Sequence, residues 1–276
     1  MKQVAFVTGA SSGIGAATGR ALLQQGWSVY AGARRVDRMR ELADAGATVL
    51  ALDVGDDASI IAAVDAIKSD AGRLDALVNN AGYGSYGSLE DVPLAEGRRQ
   101  FEVNVFGLAR LTQLVLPMMR TQGLGRIVNI SSIGGKMYEP FGSWYHATKF
   151  AVEGMSDCLR MELAPFGIDV VVIEPGAIKT EWTGIARENL LKYSGETAYR
   201  DGAQQHARMF AAADTSSMAS PPEVVAATIV KSLLATRPKT RYATGGGARF
   251  ILMLRSLLSD RGFDALMRTI SKRAAG

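Results

Sequence analysis

Thr8-Gly9-Ala10-Ser11-Ser12-Gly13-Ile14-Gly15 is the stretch that decides the fold. It ends a short apolar run that begins at Val4, and it opens a helical pattern that extends to Gln25. Glycine permits a tight turn and a close approach of backbone N–H groups to an anion, and a helix N-terminus adds partial positive charge. An ordinary strand–helix turn is the alternative, but this context favours a turn that binds a dinucleotide pyrophosphate. The residues expected to bind it are Gly9, Ser11, Ser12, Gly13, Ile14 and Gly15.

Short β-rich runs alternate with longer helical patterns over the first 180 residues. The expected strands are Val4–Thr8, Ser28–Ala31, Thr48–Leu52, Leu74–Val78, Arg126–Ile130 and Asp169–Ile173, with a further candidate at Arg241–Thr244. The expected helices are Gly13–Gln25, Asp37–Ala45, Ala58–Ala71, Leu94–Met119, Ser143–Phe166 and Glu223–Ala235. Several strands are apolar on both faces, which is typical of a parallel sheet between two layers of helices. The sequence therefore predicts an α/β protein with a doubly wound, Rossmann-type parallel sheet of about seven strands.

The regular alternation ends near Gly176. Residues 181–220 are polar and have no clean helical period, so we expect a substrate-binding loop or lid, or a locally helical segment. Residues 248–273 are expected to form a C-terminal helical extension that is interrupted at Gly262. No repeat or low-complexity linker divides the chain, which predicts a single domain over residues 1–276.

Composition argues against several classes of function. The 276 residues are 47% hydrophobic, and 31 basic against 27 acidic residues leave a scattered net charge of +4, so nucleic-acid binding is not expected. A single cysteine, Cys158, and two histidines supply too few ligands for a zinc site, so no metal is expected. The N-terminal apolar run is too short for a secretory signal, and no run reaches the ~18 residues of a membrane span. The sequence predicts a cytoplasmic protein.

Further motifs follow in order along the chain: Asn79-Asn80-Ala81-Gly82, Asn104, Ser132, Tyr145-His146-Ala147-Thr148-Lys149 and Pro175-Gly176. Together with the turn, they resemble the short-chain dehydrogenase/reductase family from about Val4 to Thr180. The turn is spaced Gly-x-x-x-Gly-x-Gly, unlike the Gly-x-Gly-x-x-Gly of most dehydrogenases. The resemblance implies an oxidoreductase that interconverts a carbonyl and an alcohol with a nicotinamide cofactor. The catalytic residues that it implies are Asn104, Ser132, Tyr145 and Lys149.

Tyr145 and Lys149 lie four residues apart, so on a helix they share one face and can reach the same ligand. A neighbouring ammonium and an oxidised nicotinamide favour the phenolate, so we expect them to lower the pKa of Tyr145 and fit it for general acid–base catalysis. The resemblance implies that Ser132, thirteen residues before Tyr145, donates a hydrogen bond to the substrate carbonyl. It also implies that Asn104 holds a water linking Lys149 to solvent; capping or kinking the helix is a second role that this asparagine can fill.

The second strand leads into Ala33-Arg34-Arg35. Relatives that prefer NAD carry an acidic residue at the position of Ala33, and a guanidinium can pair with the 2′-phosphate of NADP. We therefore expect NADP(H) as the cofactor, bound by Arg34 and Arg35; arginines that are merely solvated at a strand end are the alternative. The resemblance adds cofactor contacts by Asp53, Val54, Asn80, Ala81, Gly82, Tyr145, Lys149, Pro175, Gly176, Ile178 and Thr180.

The residues expected to border the substrate are chiefly apolar: Gly134, Met137, Tyr138, Phe141, Trp144 and Trp182. They favour a bulky apolar small-molecule carbonyl or alcohol of the steroid, retinoid or long-chain aldehyde type. Core packing is the alternative for each aromatic residue. Two other functions stay open: a 3-oxoacyl-thioester reductase, and a non-catalytic regulator that senses NADP.

Three expectations concern the surface. By resemblance, the helices Leu94–Met119 and Ser143–Phe166 form the interface of a homodimer or homotetramer. The basic amphipathic pattern of residues 248–273 covers the pocket or another subunit, or it makes a peripheral contact with a membrane. Cys158 falls in an apolar helical stretch, which predicts a packed side chain rather than a nucleophile.

Overall fold

A seven-stranded sheet forms the centre of the molecule. The computed structural model describes residues 2–215 and 219–273; residues 216–218 of the expected lid, and residues 1 and 274–276 of the expected domain, lie outside these ranges. The strands are β1 (Val4–Thr8), β2 (Ser28–Ala33), β3 (Thr48–Ala51), β4 (Ala76–Asn79), β5 (Gly125–Ile130), β6 (Ile168–Pro175) and β7 (Arg241–Thr244). All neighbouring pairs are parallel, in the order β3-β2-β1-β4-β5-β6-β7. The predicted doubly wound α/β fold is confirmed.

Helices cover both faces of the sheet because its strands are apolar on both faces. The helices are α1 (Gly13–Gln24), α2 (Arg40–Asp44), α3 (Asp57–Asp70), α4 (Leu94–Phe101), α5 (Gly107–Gln122), α6 (Ser143–Leu163), α7 (Glu181–Ser194), α8 (Arg200–Thr215), α9 (Pro222–Leu234), α10 (Ala248–Leu257) and α11 (Asp260–Arg273). In β1, Ala5 and Val7 belong to a core with α1, α2 and α9, whereas Val4 and Phe6 belong to a core with α3 and α5. Successive residues of a strand point to opposite faces, so one short strand stabilises both layers.

Four predicted elements differ in the structure. The helix expected at Asp37–Ala45 begins as a 3₁₀ turn, Val36–Met39, and is α-helical over Arg40–Asp44. The helix expected at Leu94–Met119 is broken by a π-helical turn, Glu102–Phe106, and extends to Gln122. Residues 181–220 contain two helices, α7 and α8, which corresponds to the locally helical alternative. The C-terminal break lies before Asp260 instead of at Gly262, because the Ser259 hydroxyl accepts a hydrogen bond from Gly262 N and caps α11.

Two exposed apolar surfaces remain. Phe150, Gly154, Cys158 and Met161 follow each other along the exposed side of α6. The prediction of a packed Cys158 is therefore wrong: Val152 and Ser156 face the interior, and Cys158 lies about 200° around the helix from Ser156. The second surface is on α10, where Phe250, Met253 and Leu257 are exposed. No helix in residues 2–215 and 219–273 is long and apolar enough to cross a membrane.

Candidate active site

A cavity of about 770 Å³ opens at the carboxyl ends of the strands, where the strand order reverses between β1 and β4. After β1 the chain crosses on the α1 face of the sheet, and after β4 it crosses on the α5 face, so the two connections separate and leave a crevice. The glycine turn lies at one end of this cavity, and an aromatic wall lies at the other. The fold thus places a polar and an apolar subsite side by side.

Three glycines leave the backbone of the turn free of side chains where it bends most closely. Gly9 and Gly13 have φ values of +67° and +52°, which L side chains rarely adopt, and a Cβ on Gly15 would lie 2.3 Å from the carbonyl oxygen of Gly9. Ser12 is the N-cap of α1, and its side chain makes no capping hydrogen bond. The first N–H groups of α1 have no intrahelical partner, so this helix end suits a phosphate.

Asn80 and Thr8 hold the turn in position. Thr8 Oγ1 accepts hydrogen bonds from Asn80 N and Ala81 N, both at 3.0 Å. The amide Nδ2 of Asn80 donates to the carbonyl of Thr8 at 2.9 Å. Asn80 therefore supports the turn through its side chain while it lines the cavity.

Arg34 and Arg35 lie at the mouth of the cavity, beside the turn. Arg35 donates to Ser12 Oγ at 3.2 Å and to the Glu181 carboxylate at 2.9 Å. Arg38 donates to the other oxygen of Glu181 at 2.7 Å, and the two guanidinium groups lower the pKa of Glu181. The carboxylate of Glu181, the first residue of α7, thus bridges Arg35 and Arg38.

Tyr145 and Lys149 are buried side by side on the face of α6 that borders the cavity. The Lys149 Nζ donates to the carbonyl of Ile130, at the end of β5, at 2.9 Å. Ser132 Oγ accepts from Gly134 N at 3.0 Å, and Ser132 lies close enough to Tyr145 to lower the pKa of the phenol. The end of β5 and the start of α6 thus bring a hydroxyl, a phenol and an amine together.

Burial shifts both titrating groups away from their ordinary values. It raises the pKa of Tyr145 to about 12, against the opposing effect of the Ser132 hydrogen bond, and the charge of Glu139 raises it further. The lowering of the Tyr145 pKa that the sequence predicts is therefore not found in the protein without ligand. The free-energy cost of desolvating the phenolate exceeds the effects that stabilise it. Burial also lowers the pKa of Lys149 to about 8, which the charge of Glu153 partly offsets.

Asn104 lies in the π-helical turn, behind the cavity wall. Its Oδ1 accepts from Tyr83 N at 3.0 Å, and its Nδ2 donates to Tyr83 O at 2.9 Å and to Thr148 Oγ1 at 3.1 Å. A Cβ on Gly82 would lie 3.0 Å from Asn104 Oδ1 and 3.9 Å from Lys149 Nζ. Asn104 therefore ties the segment after β4 to α6, next to the lysine.

Aromatic side chains form the opposite end of the cavity. The Tyr145 ring lies 4.9 Å from the Trp182 ring and 5.7 Å from the Tyr86 ring. Phe210 of α8 contacts Tyr86 edge to face at 5.0 Å. The helices α7 and α8 thus complete a largely apolar wall around the phenol.

Comparison with known proteins identifies the family. A family model described as short chain dehydrogenase matches residues 3–190. The chain belongs to the short-chain dehydrogenase family. This dehydrogenase is 36% identical over 275 residues to a probable short-chain type dehydrogenase/reductase, VdlC, of Helicobacter pylori, with 97% of each chain covered. It is 34% identical over 276 residues to an NADPH-dependent 3-dehydrocapnine reductase of Ornithobacterium rhinotracheale, with 95% of each chain covered.

A solved structure has the same fold. A short-chain dehydrogenase from Streptomyces avermitilis is 34% identical to this dehydrogenase and superimposes with a TM-score of 0.80. The comparison covers 99% of this chain and 98% of the other. The family implies a nicotinamide dinucleotide, and the glycine turn, the open N-terminus of α1 and the arginines at the mouth fit such a group.

Nearly all predicted cofactor residues of this dehydrogenase line the cavity. Gly9, Ser11, Ser12, Gly13, Ile14, Arg34, Arg35, Asp53, Val54, Asn80, Ala81, Gly82, Tyr145, Lys149, Pro175, Gly176, Ile178 and Thr180 do so. Gly15 lies behind the turn instead, against the Gly9 carbonyl. The Thr180 hydroxyl accepts from Trp182 N at 3.3 Å, so this side chain caps α7.

Half of the residues predicted to border the substrate line the cavity. Gly134, Met137 and Trp182 line the cavity of the dehydrogenase, whereas Tyr138, Phe141 and Trp144 are not among its lining residues. Tyr138 contacts Phe263 and Trp144 contacts Phe101, both outside the cavity. Phe141 packs behind the aromatic wall, against Tyr199 and His206.

Sequence reasoning missed several lining residues of the dehydrogenase: Tyr86, Glu139, Met209 and Phe210. A signal for Phe210 was present, because the buried Ala203, Ala207 and Phe210 of α8 recur at helical spacing. The helical period is weak in the sequence because two of these three residues are alanines, which have small side chains. No comparable pattern surrounds Tyr86 or Glu139, which lie in loops.

Proposed function

We propose that this oxidoreductase uses NADP(H) to interconvert a ketone or aldehyde with an alcohol, on a bulky apolar substrate such as a steroid, a retinoid or a long-chain aldehyde. The observation that carries the proposal is the meeting of Ser132, Tyr145 and Lys149 in the cavity between the glycine turn and the aromatic wall. A carbonyl group at this point has hydroxyl donors beside it and apolar surface around the rest of its molecule.

The proposed roles follow from the contacts. A bound nicotinamide cofactor supplies hydride transfer to or from carbon. Tyr145, whose pKa of about 12 keeps it protonated at neutral pH, donates its proton to the carbonyl oxygen during reduction. Ser132 orients that oxygen by a second hydrogen bond, and the charge of Lys149 favours the phenolate that remains. Asn104 positions the lysine through Thr148 and the segment at Tyr83.

Three observations support NADP(H) over NAD(H). Ala33 offers no carboxylate to hold a ribose or to repel a phosphate. Arg34 and Arg35 are exposed at the mouth of the cavity, beside Ser11 and Ser12. The relative from Ornithobacterium rhinotracheale is named as NADPH-dependent.

Turnover of the Tyr145→Phe variant tests this function. NADPH consumption is followed with long-chain aldehydes, retinal, ketosteroids, quinones and acyl thioesters, and NADPH affinity is measured by fluorescence titration. We expect the variant to lose at least about 10²-fold in kcat, as for loss of a general acid, with NADPH affinity retained. Tyr138→Phe is the matched control, because Tyr138 packs against Phe263 away from the cavity.

The same panel separates the alternatives. Preference for acyl thioesters would support a 3-oxoacyl-thioester reductase. Tight NADPH binding without turnover of any compound would support a regulator that senses NADP. The presence of Tyr145, Lys149 and Ser132 together favours an enzyme, because binding alone does not need a proton donor.

Three further proposals concern the surroundings of the site. Residues 181–220 act as a lid over the single domain, because Glu181 and Trp182 of α7 contact Arg35 and the Tyr145 ring. The exposed stripe of α6 forms a homodimer or homotetramer interface.

The exposed face of α10 makes a peripheral membrane contact. Liposome co-sedimentation of the wild type and of Leu257→Glu tests the last proposal; equal binding of the two would contradict it.

A further inference from the structure

Glu139 places a carboxylate in the aromatic wall of the cavity. Its Oε1 accepts a hydrogen bond from the Tyr86 hydroxyl at 2.8 Å, and 15% of its side chain is exposed. Two histidines lie near it in the described part of the chain: His206, whose Nε2 lies 3.9 Å from Oε2 and whose pKa burial lowers, and His146, whose Nε2 accepts from Glu139 N. No described lysine or arginine forms an ion pair with Glu139.

The loop that carries Glu139 is held rigidly. Glu139 N donates to His146 Nε2 at 3.2 Å, and the Phe141 carbonyl accepts from Gly87 N at 2.8 Å. Phe141 has a φ of 67°, a left-handed conformation that is strained for a residue with a side chain. Its ring packs against His206 at 5.8 Å, so α8 holds the strained loop in place. The carboxylate therefore has a fixed position.

That position is beside the reacting group. The Tyr86 ring, whose hydroxyl holds Glu139, lies 5.7 Å from the Tyr145 ring. The charge of Glu139 raises the pKa of Tyr145. A carboxylate in an apolar wall without a cation is unfavourable for its own solvation, and it opposes the phenolate as well. A cation bound to Glu139 would relieve both effects.

The other carboxylates of the cavity are placed differently. Asp53 and Glu181 lie at the nucleotide end, with the glycine turn and the arginines. Glu96 accepts from the Tyr83 hydroxyl at 3.0 Å, and the Arg99 guanidinium lies 6.0 Å from the same ring. Glu139 is therefore the carboxylate that faces the substrate beside Tyr145.

We propose that Glu139 binds an ammonium group of the substrate, which is an amino ketone with a long or bulky apolar portion, reduced to the amino alcohol. This proposal rests on the reductase function proposed above. The ammonium donates to Oε2 of Glu139, while the carbonyl oxygen meets Ser132 and Tyr145. Trp182 and Phe210 contact the apolar portion. The ammonium lies within a few bonds of the carbonyl carbon, because Tyr86 contacts both Glu139 and Tyr145.

The test compares two matched ketones, 2-aminododecan-3-one and dodecan-3-one, by their kcat/KM with NADPH. We expect the wild type to prefer the amino ketone at least about tenfold, as for a charge-assisted hydrogen bond. In Glu139→Gln, which keeps an acceptor for Tyr86, this ratio falls to about one, mainly through a higher KM for the amino ketone. Glu96→Gln keeps the ratio, because it leaves the Glu139 charge and its hydrogen bond to Tyr86 in place.

Titration calorimetry gives a readout without turnover. In the NADP⁺-saturated wild type, 2-aminododecan-3-ol binds at least about tenfold more tightly than dodecan-3-ol, and Glu139→Gln removes the difference. Equal affinities in the wild type, or a preference that survives in Glu139→Gln, overturn the cation site. Selective binding of the amino alcohol without reduction of either ketone supports the cation site and contradicts the reductase function. Thermal unfolding of each variant checks that it is folded.

Discussion

Arg35 joins the nucleotide end of the cavity to α7 through its ion pair with Glu181. The two side chains are 47% and 42% exposed, so this ion pair is weak and can yield to a phosphate. We expect Arg35→Ala to raise the Kd for NADPH roughly 10- to 100-fold and to change the Kd for NADH little, because only NADPH carries the 2′-phosphate. Fluorescence titration with both nucleotides measures the ratio.

Arg38→Ala is the matched control for this experiment. Arg38 bonds the same carboxylate but does not line the cavity. It should leave the NADPH to NADH ratio as in the wild type. Equal losses of affinity for the two nucleotides in Arg35→Ala would contradict a contact with the 2′-phosphate.

Lys149 makes stability depend on pH. Its folded pKa of about 8 lies below the ordinary 10.5, so the unfolded chain binds more protons between these values and stability rises with pH across this window. We expect the free energy of unfolding of the wild type to rise relative to Lys149→Met by about 2 kcal/mol between pH 7.5 and 9.5. Urea unfolding at both values measures it, with the exposed Lys68→Met as control; a constant difference would count against the buried charge.

Residues whose spacing is local were predictable, and residues held by distant contacts were not. A separation of four residues places Tyr145 and Lys149 on the same face of a helix, whatever surrounds that helix. Glu139 instead depends on the conformation of Phe141, which His206 supports from 65 residues further along the chain. No local pattern carries that information.

Among the elements, the π-helical turn carries Asn104, whose side chain joins it to Tyr83 and to Thr148. In Asn104→Ala, the N–H of Tyr83 loses its acceptor, whereas the Tyr83 carbonyl keeps the hydrogen bond from Gln100 Nε2, so we expect the free energy of unfolding to fall by roughly 1–3 kcal/mol. Asn104→Asp keeps an acceptor for Tyr83 N and should lose less. Urea unfolding gives the order of the three proteins; an alanine variant as stable as the wild type would contradict this role.

The accuracy of the predicted elements follows the strength of their patterns. β1 and β7 begin and end where predicted, and the other strands are right to within two residues, because apolar runs between polar breaks fix them. The helices α7 and α8 bury many small or polar side chains, such as Thr183, Ala186, Ser194, Ala203 and His206, so their hydrophobic period is weak. Contacts of Asn104 with Tyr83 and Thr148 stabilise the π-helical turn. The hydrophobic pattern of the sequence contains no information on these contacts.

For the molecule as a whole, the exposed stripe of α6 predicts self-association. Phe150 and Met161 lie on this side, and Met161 is 75% exposed. We expect a mass of at least two chains by light scattering, and a single chain for Phe150→Glu, because a charge on the stripe opposes burial. Leu257→Glu, at a 73% exposed position of α10, should keep the wild-type mass. A wild type that runs as one chain at micromolar concentration would contradict the interface.

The strand order also determines in which order the strand edges are paired while the protein is synthesised. β1 is synthesised before the other strands but lies in the middle of the sheet. Its edge that pairs with β4 therefore stays unpaired until residues 76–79 have left the ribosome. The edge of β4 then waits for β5, and that of β5 waits for β6, some 40 residues later. An unpaired edge is prone to aggregate. The nascent chain therefore presents one open edge after another, and the glycine turn is synthesised before α6, which carries Tyr145 and Lys149.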